Sequence, residues 1–111
     1  VWADQAAALA DRADIRIPAY HDGRDLGAMA ETVLASVDRP RFALAGHSMG
    51  GRIAMELLRR APQRIERLAL LDTGVHALPE GEAGEREKAG RYRLLEIARR
   101  DGMRAMAADW A

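Results

Sequence analysis

The stretch Arg41-Phe42-Ala43-Leu44-Ala45-Gly46-His47-Ser48-Met49-Gly50-Gly51 decides the fold. Its first five residues form a compact run with the composition of a buried strand. From residue 49 to 61 the apolar positions Ile53, Ala54, Leu57 and Leu58 recur at helical spacing, until Pro62 stops the helix. Ser48 therefore stands at a strand-to-helix corner, flanked by small residues. So tight a corner holds the serine in a strained backbone conformation that pushes its hydroxyl clear of both elements. Gly46 and Gly50, two before and two after, carry no side chain to collide across the turn. The new helix also presents unpaired backbone N–H groups, which favour a developing negative charge. One short turn thus offers a nucleophile, Ser48, and half of an oxyanion site.

Working outward, residues 1–12 read as a helix with Trp2, Gln5, Ala6, Leu9 and Ala10 on one face. Asp14-Ile15-Arg16-Ile17-Pro18 alternates like a short strand that the proline ends. A polar loop, Tyr20-His21-Asp22-Gly23-Arg24, leads to Asp25 as a helix N-cap. Leu26, Met29, Ala30, Val33, Leu34 and Val37 then mark an amphipathic helix, broken at Arg39-Pro40. Ile65 to Leu71 is a further strand, ending at Asp72-Thr73-Gly74. Alternating helices and strands at this spacing predict an α/β fold, a parallel sheet with flanking helices joined by right-handed crossovers. Three strands leave two open sheet edges, and both ends of the sequence run in helical pattern. The expectation is an internal piece of a longer chain.

Beyond Gly74 the character changes. His76 to Gly81 is a loop, and residues 82–100 are a highly charged helical stretch whose sparse apolar content is Tyr92, Leu95 and Ile97. Asp101-Gly102 turns the chain into a last helix bearing Met103, Met106, Ala107 and Trp110 on one face. The predicted division is a core segment over 1–78 and a helical cap or lid beginning at 79–111.

Composition bounds the function. The chain has 111 residues, 49% hydrophobic and 31% charged, with 17 basic and 17 acidic side chains and a formal net charge of zero. That balance gives no electrostatic reason to expect nucleic acid or an anionic membrane as partner. Without cysteine, disulfides and thiolate metal sites are excluded. No apolar stretch approaches the roughly 20 residues that span a bilayer. The expected setting is cytoplasmic, with no cofactor and no metal. A phosphate-cradling loop also joins strand to helix through glycines, but the lysine of such a loop is missing here and dinucleotide spacing is absent.

The Gly46-His47-Ser48-Met49-Gly50-Gly51 turn, in its strand–turn–helix setting, resembles the α/β-hydrolase family. Ala61-Pro62-Gln63-Arg64-Ile65 followed by Leu68-Ala69-Leu70-Leu71-Asp72 is similar to that family's helix exit and next strand. The charged helices after residue 81 fall where members carry a helical cap. The resemblance covers essentially the whole chain, but only the middle of the family's fold. It implies that Ser48 is the nucleophile and that the Met49 N–H is one oxyanion donor. The second donor would come from a loop outside this stretch. The family's chain order is serine, acid, histidine, which implies that the base, and in most members the acid, lie beyond these residues. After the strand ending near Pro18 many members have a Gly-x-Gly-x-Ser turn, where this chain has Tyr20-His21-Asp22-Gly23-Arg24.

Other residues carry two readings. Asp72 ends a parallel strand on the edge where Ser48 lies, as an acid would in some members; it is equally a turn carboxylate capping Thr73 and Gly74. His47 adjoins the nucleophile, and its side chain should point away from it, a structural role. His21 and His76 follow strands on the same edge and are the alternative bases. Met103, Met106 and Trp110 read as cap packing, and Glu82 to Arg93 as a solvated face of helical ion pairs. The expected function is a serine hydrolase acting on an ester, thioester or lactone of a small, partly apolar molecule through an acyl-enzyme on Ser48. Acyl transfer by the same serine and a non-catalytic binding relative are the alternatives. The 111 residues by themselves are expected to be inactive, for want of a base.

Overall fold

A computed structural model describes residues 1–20 and 25–110. These divide into two compact units, Val1–Val75 and His76–Ala111, each described by itself.

The first unit is built on two parallel strands, β1 (Phe42–His47) and β2 (Ile65–Leu71). Three helices precede or follow β1: α1 (Ala3–Ala8), α2 (Leu26–Ser36) and α3 (Met49–Arg60). In the ladder Leu44 pairs with Leu68, Gly46 with Leu70 and His47 with Leu71, after a one-residue shift between Phe42 and Ala43. Both strands therefore finish level, and the chain leaves them on one edge at Ser48 and at Asp72. That is the geometry a parallel pair gives and an antiparallel pair cannot.

The expected helix starts and stops are largely met. Asp25 caps α2, its carboxylate accepting the Ala28 N–H at 2.8 Å. The helix after the serine ends at Arg60, and Pro62–Arg64 forms a single 3₁₀ turn into β2. α3 packs on β1 and β2, and α2 packs on α3. The core is Ala30 and Val33 from α2 with Ile53 and Leu57 from α3, ringed by Tyr20, Met29, Leu34 and Leu44. Burying a side chain such as Leu57 contributes about 1.5–3 kcal/mol, so these few contacts dominate the unit's stability. Burial also pushes the Tyr20 phenol above its usual range.

Two polar ties set the layer spacing. Arg64 donates from Nη2 to the carbonyls of Val37 and Arg39, at 2.9 and 2.7 Å, and its guanidinium lies 5.4 Å from the Phe42 ring centre. It thereby pins the α2–β1 connection to the start of β2. Arg60 bridges Glu31 on α2 and Glu56 on its own helix, at 2.9 and 2.6 Å. Hydrogen bonds from Arg59 and then Arg60 hold the Glu56 carboxyl down to about 2.

Two expectations fail in this unit. The first helix is shorter than residues 1–12, ending at Ala8. The strand expected over 14–18 does not form, so among the described residues the sheet has two strands and not three. A strand exists through its ladder hydrogen bonds, and this segment has none. A cavity of about 820 Å³ is lined both by Ile15, Arg16 and Ile17 and by Phe42 to His47 of β1, so the alternating segment and the sheet do not pair. Ile15 and Ile17 remain partly solvent-exposed.

The second unit holds α4 (Glu82–Asp101) and α5 (Met103–Trp110), which pack on each other across Gly102, whose φ is 86°. Arg93 on α4 donates to Asp109 on α5 at 2.7 Å. Along α4, Glu82–Arg86, Glu85–Lys88, Glu87–Arg91 and Glu96–Arg99 pair at helical spacing, the solvated face expected from the sequence. Gly84 is the buried position of α4, because a Cβ there would lie 1.8 Å from the Pro79 carbonyl oxygen. Tyr92, Leu95, Met103 and Trp110 stay largely exposed. Among the described residues, no helix is long and apolar enough to cross a membrane.

Candidate functional site

Ser48 is the corner between β1 and α3, with φ 53° and ψ −118°. A non-glycine residue with positive φ is uncommon, and such strain persists only where the surroundings over-determine it. Ser48 occupies the N-cap position of α3, where a serine side chain ordinarily accepts a helix N–H. Here it makes no capping hydrogen bond. Among the described residues the hydroxyl is thus not committed to the helix, which is the property a nucleophile needs.

Three backbone-directed bonds hold that conformation. The Ser48 N–H donates to the Leu71 carbonyl at 3.0 Å, extending the β1–β2 ladder by one residue. The Ser48 carbonyl accepts from the Gly51 N–H at 3.0 Å and from the Thr73 hydroxyl at 2.7 Å. Met49, the first residue of α3, has no intrahelical acceptor for its N–H, like every residue in a first helical turn.

The glycines divide differently from what the motif implies. A Cβ on Gly46 would lie 2.4 Å from the Gly50 carbonyl oxygen and 2.7 Å from the Gly51 Cα, so only glycine fits. A Cβ on Gly51 would lie 2.6 Å from Cβ and Cγ2 of Thr73. At Gly50 a Cβ would meet nothing within 4 Å. The second sterically required glycine is therefore Gly51, because it is the residue that faces the end of β2.

Asp72 follows β2 with φ 46°, the second non-glycine residue in the left-handed region. Its carboxylate is almost fully exposed and lies 3.9 Å from His47 Nε2. The level strand ends explain the pairing, since His47 is opposite Leu71 in the ladder. A contact this long and exposed contributes little. His76 belongs to the second unit. His21 lies outside the described residues. Among the described residues there is no group of three or more His, Cys, Asp or Glu able to hold a metal ion.

Two neighbours of the corner escaped the sequence reading. Thr73 touches it from 25 positions away, and the Arg52 guanidinium reaches within 3.2 Å of where a Gly74 Cβ would be. The usable signal for Thr73 was its place just past a strand expected to lie parallel to β1. The 820 Å³ cavity does not include Ser48 in its walls. It follows the length of β1, whereas chemistry in parallel sheets gathers at the strand ends, where Ser48, Asp72 and Thr73 stand.

The fold and corner define a class: an α/β protein with an uncapped, strained serine where a parallel strand enters a helix. The model of the alpha/beta hydrolase fold matches residues 6–101, and the chain belongs to that family. Among curated relatives it is 32% identical over 91 residues to a Bacillus subtilis (strain 168) protein provisionally named 2-succinyl-6-hydroxy-2,4-cyclohexadiene-1-carboxylate synthase, covering 82% of this chain and 32% of that protein. It is 46% identical over 50 residues to the dihydrolipoyllysine-residue acetyltransferase component of the acetoin cleaving system of Pseudomonas putida, covering 42% of this chain and 14% of that one. An uncharacterized Mycobacterium tuberculosis (strain ATCC 25618 / H37Rv) protein is 39% identical over 64 residues, covering 57% of this chain and 17% of its own length. The chain spans about a third or less of each of these relatives. No solved structure matches it significantly.

Proposed function

We propose that this chain carries the nucleophile of a serine hydrolase that cleaves an ester, thioester or lactone of a small, partly apolar substrate. The observation that carries this is the Ser48 conformation, positive in φ and free of any capping bond. In the reaction Ser48 Oγ forms a bond to the acyl carbon and its proton passes to a base. The carbonyl oxygen gains the charge, which the Met49 N–H stabilises. Collapse of the tetrahedral intermediate breaks the bond to the leaving group, and water then releases the acyl group from Ser48.

The family order places acid and base after the serine, and the base is taken to be a histidine of the full-length protein other than His47, which is turned to Asp72. Asp72 as the acid is the weaker assignment, because its carboxylate is open to water and has only His47, at 3.9 Å, beside it among the described residues. The helices of the second unit would form the start of a cap, and the setting would be cytoplasmic. A second reading, acyl transfer from the same serine, draws support from the likeness to a Pseudomonas putida protein named as an acetyltransferase component.

The test is turnover of p-nitrophenyl esters by the full-length protein and its Ser48→Ala variant, with and without an added alcohol or thiol acceptor. Loss of about a thousandfold or more in kcat is expected for the variant. Product on water alone supports hydrolysis, and product formed chiefly on the acceptor supports transfer. Undiminished turnover by Ser48→Ala would remove the serine from the mechanism, and no turnover by either protein would favour a binding relative.

A further inference from the structure

The geometry points to Thr73 as the positioning residue that aims the Met49 N–H at the developing oxyanion, an inference that rests on Ser48 being the nucleophile. The Ser48 carbonyl and the Met49 N–H belong to one planar trans peptide unit and point in opposite directions. Whatever fixes the carbonyl therefore fixes the N–H. The carbonyl accepts twice, from the Gly51 N–H within α3 and from Thr73 Oγ1 at 2.7 Å. The first bond comes from the same helix turn and moves with it. Thr73 is the link that ties the peptide plane to the sheet.

The surroundings are arranged around that contact. Leu71 holds the peptide unit before Ser48 through its carbonyl, and Thr73 holds the one after it through its hydroxyl. The left-handed residue between them, Asp72, turns the chain so that both groups face the corner. Thr73 packs flat on Gly51, where any Cβ would collide with it, and a β-branched side chain has few χ1 rotamers to wander among. A donor on the carbonyl also polarises the peptide and strengthens its N–H as a donor. The strain at Asp72 and the bareness of Gly51 thus serve one hydrogen bond.

The experiment is the rate at which a fluorophosphonate probe labels Ser48 in the full-length protein, mapped by peptide mass. It is run on wild type, Thr73→Val and Thr73→Ser, beside thermal midpoints and the amide resonance of Met49. Thr73→Val keeps the shape and loses the donor, and should slow labelling about tenfold or more. It should also shift the Met49 amide signal with little change in midpoint. Thr73→Ser restores the hydroxyl and should recover the rate to within about threefold of wild type. A Val variant labelled as fast as wild type overturns the inference, as do Val and Ser variants that are equally slow, since packing alone would then be the cause. If the Val variant does not fold, Thr73→Ala against Thr73→Ser decides in the same way. Wild type left unlabelled at Ser48 defeats the nucleophile assignment itself, a result distinct from any of these.

Discussion

The corner at Ser48 and the helix α4 represent opposite ways of specifying structure. At the corner, Gly50 excepted, the groups are fixed by close backbone and tertiary contact. Gly46 abuts the Gly50 carbonyl, Gly51 abuts Thr73, and the Ser48 N–H and carbonyl are both held from the end of β2. Helix α4 is held chiefly by its own neighbours, through ion pairs three and four residues apart on an exposed surface, with Gly84 and the tie to Asp109 as exceptions. The difference teaches where sequence change is tolerated. A position fixed by backbone contact across the fold has one acceptable residue, whereas a position fixed by local charge has many.

That contrast breaks or sharpens under substitution. Gly46→Ala should have the largest effect. Its methyl must displace the Gly50 backbone, costing about 3 kcal/mol or more, while Gly50→Ala should change stability by no more than about 0.5 kcal/mol. Chemical denaturation of the two variants gives the comparison, and equal losses would mean that the corner is not sterically closed. Next comes Leu57→Ala, which empties a fully buried site between α2 and α3 and should cost about 2–5 kcal/mol. Urea midpoints at unchanged slope would measure it.

Gly90→Ala in α4 should go the other way. Nothing lies within 4 Å of the new methyl, and an interior helical glycine is replaced by alanine at a gain of about 0.5–1 kcal/mol. Its thermal midpoint should rise; a fall would show that α4 is constrained by more than its own pairs. The smallest effect is expected from Glu56. Its folded value of about 2 lies below the ordinary 4.5, so its contribution is complete above pH 4.5 and is lost as pH falls toward 2. Thermal midpoints of wild type and Glu56→Gln should converge across that window and differ slightly but steadily above it.

Much of this was legible in the sequence because it is local. The periodicity at 26–37 and 49–61, the cap at Asp25 and the stop at Pro62 all depend on residues within a turn or two of each other. The failures are long-range. Ile15 and Ile17 alternate as a strand does, but a strand requires a ladder partner, and none pairs with them among the described residues. The glycine motif marks Gly50 as readily as Gly51, and only the fold brings Thr73 against the second. Asp72 stands on the edge it shares with Ser48, as the sequence reading has it, and only the ladder register brings His47 beside it. The serine itself was legible because both of its causes, a strand before and a helix after, adjoin it in sequence.

The central claim is that Ser48 is a free, activated hydroxyl. Its most direct test is mass-spectrometric mapping of a fluorophosphonate adduct on the full-length protein. A single adduct on the peptide containing Ser48, absent from Ser48→Ala, is the predicted result. No adduct, or an adduct on another residue that survives Ser48→Ala, would contradict it.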